Sequence, residues 1–231
     1  MKTIAIINAM QKEHEQLAGL LTETETVTDG PFSFVTGTFN HQRMVLMQSG
    51  IGKVNAAVGA VELIRRYAPD ALVNTGVAGG IDSRLQVADV VVGERVVYHD
   101  VDCGPETEPG RVQGLPLYYE GDAGLLQAAR LVEADVRLLD GLICSGDQFI
   151  TDRQQLAAIK ARFPEALAVD MESGALAQVC HLYHVPFLSF RIISDTPGAD
   201  KHLDQYFNFW EVMAEKSFGV TRSLLEKITQ A

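Results

Sequence analysis

The sequence predicts an α/β fold in which helices flank a central, twisted, mixed and mainly parallel β-sheet. Runs rich in Val and Ile alternate along the chain with amphipathic segments at helical spacing, a pattern typical of parallel sheets covered by helices. A polar turn at Asn40-His41-Gln42 joins two strand-like runs, so this pair is expected to be antiparallel. A length of 231 residues with 47% hydrophobic residues suits one large core, and we expect a single domain over residues 1–231.

The N-terminal half is predicted to contain strands and two helices. The predicted elements are a strand over 2–8, a helix over 11–21, strands over 32–39 and 43–49, a helix over 53–67 and a strand over 71–74. Apolar residues at helical spacing indicate the second helix, and Pro69 marks its end.

The C-terminal half continues the alternation after a Val-rich strand region over 85–99. The remaining predicted elements are a loop over 103–121, a helix over 122–132, a strand over 138–144, a helix over 152–162, a strand ending near Asp170, a helix rich in small residues, a strand over 187–193 and one long helix through Leu225. Thr151 or Asp152 is expected to cap the 152–162 helix. The 103–121 loop is rich in Gly, Pro and Glu, and its length favours a lid or a subunit contact.

Composition excludes several classes of partner. A net charge of -11 argues against nucleic acid, and no apolar run reaches the roughly 20 residues needed to cross a membrane. The apolar stretch at 4–7 is too short for a signal peptide, and three widely spaced cysteines suit a reducing compartment, so a cytoplasmic location is expected. His181 and His184 lie three residues apart on a predicted helix without a third ligand, so a solvated helix face is favoured over a metal site. No metal or cofactor is expected.

Three acidic residues fall where predicted strands pass into helices: Glu13, Glu172 and Asp195. Because open α/β sheets bind ligands outside the carboxyl ends of their strands, these side chains are expected to share one crevice. Glu13 alone has an ordinary explanation as a first-turn acid, and Asp195 alone as an N-cap helped by Ser194. Glu172 stands between an apolar strand and a small-residue helix, where a solvated charge has little reason to be. The three together predict acid/base chemistry on a polar small molecule.

Two glycine-rich segments follow predicted strands. The segment Gly50-Ile51-Gly52-Lys53-Val54 lacks the residues of a Walker A loop and of a dinucleotide fingerprint, so it is either a tight turn or a backbone approach to a ligand. In the segment 74–80, small residues expose several backbone N–H groups, which favours a polar ligand lying on the loop.

Seven short motifs, in register over nearly the whole chain, resemble those of the 5'-methylthioadenosine/S-adenosylhomocysteine nucleosidases. They are Asn8-Ala9-Met10 with Glu13, Ser49-Gly50-Ile51-Gly52-Lys53, Asn74-Thr75-Gly76 with Ala78-Gly79-Gly80, Tyr98-His99-Asp100, Ser145-Gly146-Asp147 with Phe149-Ile150, Met171-Glu172 and Ile193-Ser194-Asp195. The resemblance implies the nucleoside phosphorylase fold, a homodimer and hydrolysis of the N-glycosidic bond of an adenine nucleoside.

The resemblance also implies a role for each acid. Asp195, oriented by Ser194, would protonate adenine N7, and its pKa is expected to be raised for this role at neutral pH. Glu13 would activate the attacking water, Glu172 would hold the ribose hydroxyls, and Arg191 would position the water and the two glutamates.

Further residues are assigned to substrate binding by the same resemblance. Phe149 would stack on adenine, the Ile150 backbone would read the edge of the base, and Tyr206 would close the sugar side. The other assigned positions are Met10, Ile51, Val77, Ala78, Gly79, Met171, Cys103 and Glu106.

The chain departs from the family pattern in two places. Val77 stands where the family has Ser, which removes one hydroxyl near the ribose and the water. The segment from Cys103 to Glu106 replaces a run that in the family carries apolar residues, including an aromatic at the position of Glu106, across the dimer interface onto the 5'-alkylthio group. Either the loop is rerouted and Leu115, Leu117 or Tyr118 provides the cover, or the accepted 5' substituent is more polar.

Three rival functions remain open from the sequence. A nucleoside phosphorylase needs cations for phosphate, yet Asn74 stands where those enzymes carry Arg and Arg43 is the nearby basic candidate. A futalosine hydrolase, which accepts a bulky aromatic 5' group, is compatible with the altered 103–118 loop. A non-catalytic purine-nucleoside binder is disfavoured because binding alone does not require both an acid and a water activator.

Overall fold

The computed structural model describes residues 2–196, 202–212 and 214–230. The strands in these ranges are β1 (Thr3–Asn8), β2 (Thr22–Asp29), β3 (Phe32–Phe39), β4 (Gln42–Gln48), β5 (Ala71–Gly80), β6 (Val90–Tyr98), β7 (Tyr119–Glu120), β8 (Leu138–Ser145), β9 (Ala166–Asp170) and β10 (Phe187–Asp195). The helices are α1 (Gln11–Ala18), α2 (Lys53–Tyr67), α3 (Ala123–Arg130), α4 (Arg153–Arg162), α5 (Ser173–Tyr183), α6 (His202–Val212) and α7 (Ala214–Gln230).

These strands form one mixed sheet, part of which closes on itself. β5 pairs in parallel with β1 and β10 and antiparallel with β9. Since β10 also pairs with β6, β6 with β8, and β8 with β9, five strands complete a ring in the order β5, β10, β6, β8, β9. β1, β4, β3 and β2 continue outward from β5. The expected α/β class with a mixed sheet is confirmed, whereas the ring replaces the open sheet on which the crevice was predicted.

Helices cover the sheet on two sides. Along β1, Ala5 and Ile7 join the core beneath α2 and α5, whereas Ile4 and Ile6 join the core beneath α1, α3 and α7. This alternation follows from the two-residue side-chain period of a strand. Within the described residues, no helix combines the length and the apolar content needed to cross a bilayer.

Strand β2 is absent from the predicted elements. Its sequence, TETETVTD, offers no apolar face, and its residues are exposed except for the half-buried Val27. It forms through main-chain pairing with β3 at the edge of the sheet, where a buried face is not needed. The helix predicted over 11–21 accordingly ends earlier, at Ala18.

Other boundaries also differ from the predictions. The glycine segment 74–80 is the second half of β5, because β10 and β9 pair with it. Of the region 85–99 predicted as strand, only Val90–Tyr98 forms a strand, β6. The 103–121 loop ends in the short strand β7, which pairs with β6. Asp152 caps α4 by accepting hydrogen bonds from two backbone N–H groups. The predicted long C-terminal helix corresponds to the described helices α6 and α7, and Met213 between them lies outside the described residues.

Candidate active site

The strand ends near β1, β5, β9 and β10 surround a cleft that holds about 660 Å³ of empty space, including the part open to solvent. It is lined by Ala9, Met10, Glu13, Ile51, Val77, Ala78, Gly79, Gln148, Phe149, Ile150, Val169, Asp170, Met171, Glu172, Arg191, Ser194, Asp195 and Tyr206. The three acids singled out in the sequence therefore lie around one cavity. The residues assigned to substrate binding lie there too, with the exception of Cys103 and Glu106.

Glu13 is held at the first turn of α1 by two backbone donors. The Met10 N–H donates to Oε2 and the Val77 N–H to Oε1, each at 3.2 Å. Burial raises the pKa of Glu13 to about 7, although Arg191 and the two backbone hydrogen bonds act in the opposite direction. A carboxyl with this pKa takes up and releases protons near neutral pH, as a general base must.

Arg191 is fully buried on β10 and joins the acids of the cleft. Its Nη2 forms an ion pair with Asp170 Oδ2 at 2.5 Å and lies 3.7 Å from Glu172 Oε2. The same nitrogen donates to Asn74 Oδ1 and, at 3.2 Å, to Ser173 Oγ. The Arg191 guanidinium is almost fully buried, and these acceptors and acids share its positive charge.

Glu172 is held by the turn that precedes α2. The Gly52 N–H donates to Glu172 Oε1 at 3.0 Å, so the first glycine segment supports an acid of the cleft while Ile51 itself lines the cleft. Burial raises the pKa of Glu172, and the charge of Arg191 opposes this shift. In the second glycine segment, likewise, the Val77 N–H contacts a protein carboxylate, Glu13.

Asp195 is buried at the end of β10. Ser194 Oγ donates to Asp195 Oδ1 at 2.7 Å and lies 3.4 Å from the Ala78 carbonyl oxygen. This hydroxyl fixes one oxygen of the carboxyl while Asp195 lines the cleft. The N-cap explanation does not apply, because Asp195 is the last residue of a strand.

Aromatic side chains form another part of the wall. The rings of Phe149 and Tyr206 meet edge to face, with centroids 5.4 Å apart, and Tyr206 Oη lies 3.8 Å from Met10 Sδ. Phe149 remains 46% exposed, so a flat ligand face can be covered by this ring.

Cys103 and Glu106 are exposed and do not line the cleft of their own chain. Their assigned position across a subunit interface stays a prediction. Of the alternative covering residues, Leu117 and Tyr118 pack against the core cluster around Val97 and Phe163 instead of the cleft.

Several residues that the sequence analysis did not single out contribute to the site. Asp170 lines the cleft and pairs with Arg191, and it shares with Glu172 the signal of an acid at the end of a buried strand. Asn74, which was named within a family motif but given no role in the site, accepts a hydrogen bond from Arg191 and donates to the Ile7 carbonyl oxygen at 2.9 Å. Ala9, Gln148 and Val169 also line the cleft, and no local signal distinguishes them.

Metal ligation has no geometric support in the part of the chain that the structure describes. No group of three or more His, Cys, Asp or Glu side chains there is arranged around a common point. The His181 ring packs instead on the edge of Tyr119, with centroids 5.7 Å apart, and His184 caps the end of α5.

The sequence model of the phosphorylase superfamily matches residues 3–226, so the ring-closed mixed sheet with buried acids at its strand ends is a phosphorylase-superfamily fold. The chain is 40% identical to a 5'-methylthioadenosine/S-adenosylhomocysteine nucleosidase of Chromohalobacter salexigens, with all of both chains covered. The crystal structure of the Neisseria meningitidis enzyme of that name in complex with methylthio-immucillin-A superimposes with a TM-score of 0.93 at 37% identity, covering 98% of this chain and 99% of the other. The Helicobacter pylori futalosine hydrolase gives a TM-score of 0.91 at 27% identity, covering 98% of each chain.

The chain belongs to the 5'-methylthioadenosine/S-adenosylhomocysteine nucleosidase family, which is a family of N-glycosyl hydrolases.

Proposed function

We propose that this protein hydrolyses the N-glycosidic bond of 5'-methylthioadenosine, S-adenosylhomocysteine or a closely related adenine nucleoside, releasing adenine. The observation that carries the proposal is the presence of Glu13, Glu172 and Asp195 around one cleft. Breaking the bond requires an acid at the base and a nucleophile at the sugar, on opposite sides of an oxocarbenium-like centre.

Asp195 is the general acid of this proposal. Adenine leaves readily only when N7 is protonated, and Asp195 delivers that proton while Ser194 orients the carboxyl at 2.7 Å. The raised pKa that this role requires stays a prediction.

Glu13 binds and deprotonates the attacking water. Both of its oxygens are oriented by backbone donors, and its pKa of about 7 leaves a substantial ionised fraction at neutral pH. The donor from residue 77 is the backbone N–H, so Val77 keeps this contact although it lacks a hydroxyl. Arg191 then serves as the cation that steadies the water and both glutamates.

Glu172 accepts hydrogen bonds from the ribose hydroxyls and stabilises positive charge on the sugar. Its buried position makes this electrostatic interaction stronger than it would be in water. Phe149 stacks on the adenine ring, and the Ile150 backbone pairs with the edge of the base. Of the other residues that line the cleft, Ile51 and Met171 contact the ribose and the base, and Tyr206 closes the sugar side.

Charge in the cleft favours water over phosphate as the nucleophile. Among the described residues that line the cleft, four are acidic and Arg191 is the one Lys or Arg. Arg191 already pairs with Asp170, and Arg43 lies over the Tyr67 ring instead of the cleft. A phosphate dianion would therefore meet net negative charge, which disfavours a phosphorylase.

A homodimer is part of the proposal. Ile51, Val54 and Val58 are 54%, 73% and 46% exposed at the start of α2, next to the cleft. Such a contiguous apolar face beside a binding site is typical of a subunit interface. The family resemblance implies that the second copy would bring its own 103–118 loop near the 5' end of the nucleoside.

The decisive experiment incubates the purified protein with a panel of purine nucleosides, with and without phosphate, and identifies the products. We expect adenine and free 5-substituted ribose from the thioadenosine substrates, at a rate independent of phosphate. Dependence on phosphate with a ribose 1-phosphate product would replace hydrolysis by phosphorolysis. Release of hypoxanthine from futalosine would indicate the futalosine hydrolase reaction, which the altered residues Cys103 and Glu106 and the Helicobacter pylori neighbour keep as the second candidate. Binding of nucleosides without base release would indicate a non-catalytic binder.

A further inference from the structure

The turn before α2 connects a carboxylate inside the cleft with one outside it. The Gly52 N–H donates to Glu172 Oε1 at 3.0 Å, and the next N–H, that of Lys53, donates to Asp147 Oδ1 at 2.7 Å. Gly52 has a φ of 94°, and a Cβ at this position would approach Asp147 Oδ1 to 3.0 Å. Gly52 has no side chain to cap α2, so Asp147 caps the helix from the segment that follows β8.

Asp147 is itself anchored from a third element. Its backbone N–H donates to Asp100 Oδ2 at 2.9 Å, and the Lys53 ammonium contacts the same oxygen at 2.8 Å. Asp100 follows β6, Asp147 follows β8, and Lys53 begins α2. The ends of two strands and the start of a helix are thereby locked together beside the cleft.

We propose that Asp147 is a positioning residue for Glu172. By capping α2 it holds the Gly52 N–H in line with Glu172 Oε1, and so orients the carboxylate that binds the ribose hydroxyls. The inference rests on the proposed function, in which Glu172 contacts the ribose. Without this donor, Glu172 would be oriented mainly by Arg191, whose nitrogen is 3.7 Å from Oε2.

The first test compares Asp147→Ala with Asp147→Asn. Both changes remove the charge, but only alanine removes the oxygen that accepts from Lys53 N. The control is Asp152→Ala, because Asp152 caps α4 by accepting from Gln154 N and Gln155 N, each at 2.8 Å, and does not line the cleft. A general effect of losing a helix cap would appear in both alanine variants.

The probes are adenine and a C-nucleoside analogue of adenosine, whose carbon–carbon glycosidic bond cannot be hydrolysed. Since Glu172 contacts only the sugar, Asp147→Ala should weaken binding of the C-nucleoside about tenfold, the usual effect of disturbing one hydrogen bond to a charged group. Adenine binding should change less than about twofold, and Asp147→Asn and Asp152→Ala should bind both probes nearly as the wild type does.

The pH dependence of kcat/KM gives a second readout. Glu172 faces Arg191 on β10, Asp170 at the end of β9, Glu13 on α1, and Asp147 beyond the Gly52 N–H. Loss of the hydrogen bond from the Gly52 N–H favours the protonated form of Glu172. The acid limb of the kcat/KM profile should therefore lie at higher pH in Asp147→Ala than in Asp147→Asn. Asp152→Ala should leave the limb in place.

Lys53→Pro tests the same contact from the other side, even if Asp147→Ala does not fold. Proline is tolerated at the first position of a helix, and it removes the backbone N–H that donates a hydrogen bond to Asp147. Lys53→Ala loses the same ammonium but keeps the N–H, so only Lys53→Pro should reproduce the selective loss of C-nucleoside binding.

Equal loss of adenine and C-nucleoside binding, equal behaviour of Asp147→Ala and Asp147→Asn, or wild-type binding in Lys53→Pro would overturn the assignment. A wild-type protein that binds both probes but releases no base from any nucleoside would instead contradict the proposed function.

Discussion

Gly76 lies so close to Glu13 that a Cβ on Gly76 would come within 2.9 Å of Glu13 Oε1. The same Cβ would come within 2.7 Å of Arg191 Nη1, so the missing side chain leaves the space in which these two charged groups approach each other. A position in the middle of β5 that carries no functional group thus controls the geometry of the proposed water-activating pair.

Gly76→Ala should therefore lower kcat strongly. A Cβ this close forces Glu13 or Arg191 to move, which disturbs the alignment of the water, and a loss of up to about 100-fold is expected. Steady-state kinetics with 5'-methylthioadenosine measures it. Gly19→Ala is the control, because its Cβ would lie 3.4 Å from the nearest atom and its φ is -65°. Equal kinetics in the two variants would show that Gly76 has no such role.

Glu13→Gln should make the stability of the protein less dependent on pH. Burial raises the pKa of Glu13 from 4.5 to about 7, so the folded state binds the proton more tightly than the unfolded state does. Its contribution to stability is complete below pH 4.5 and is lost as the pH rises towards 7 and above. Glutamine imitates the protonated carboxyl, so the variant should match the wild type at pH 5 and melt at a higher temperature, by a few degrees, at pH 8.

Thermal unfolding at the two pH values checks this expectation, and activity supplies the complementary readout. Glu13→Gln should lose turnover at both values because glutamine cannot accept the proton of water. A variant that is less stable than the wild type at pH 8 would contradict the burial argument.

Asp195→Asn should abolish turnover while leaving nucleoside binding largely intact. The amide can still accept the hydrogen bond from Ser194 but cannot deliver a carboxyl proton, and a loss on the order of 10²–10⁴ in kcat is expected. Ser194→Ala, which keeps the acid and removes only its orienting donor, should lose less. Single-turnover assays together with calorimetric binding distinguish the two effects, and full activity in Asp195→Asn would remove Asp195 from its proposed role.

Val54→Asp should shift the protein from dimer to monomer. Val54 is 73% exposed on the apolar face beside the cleft, where an added carboxylate would face the second copy. Leu131→Asp is the matched control, because Leu131 is 59% exposed at the end of α3, away from that face. Sedimentation velocity measures the oligomeric state of both variants and of the wild type. A wild-type protein that sediments as a monomer would contradict the proposed homodimer.

The contents of the cleft were largely predictable, because glycines and acids that follow strands carry a local signal. Glu172 was identified in this way, as a charge between a buried strand and a small-residue helix. Asp170 carries the same signal two residues earlier, yet its role depends on Arg191, which lies 21 positions further along the chain. Strand β2 was missed for the opposite reason, since it has no buried face and exists through pairing alone.

The sequence by itself determined where strands and helices alternate and which strands end in acids, because side-chain period and turn residues act over a few neighbouring positions. Only the tertiary structure decided that the strands close into a ring, that Asn74 and Asp170 share the guanidinium of Arg191, and that Glu13 titrates near neutral pH. Desolvation and Coulomb interactions depend on distances between groups far apart in the chain, and folding alone sets those distances.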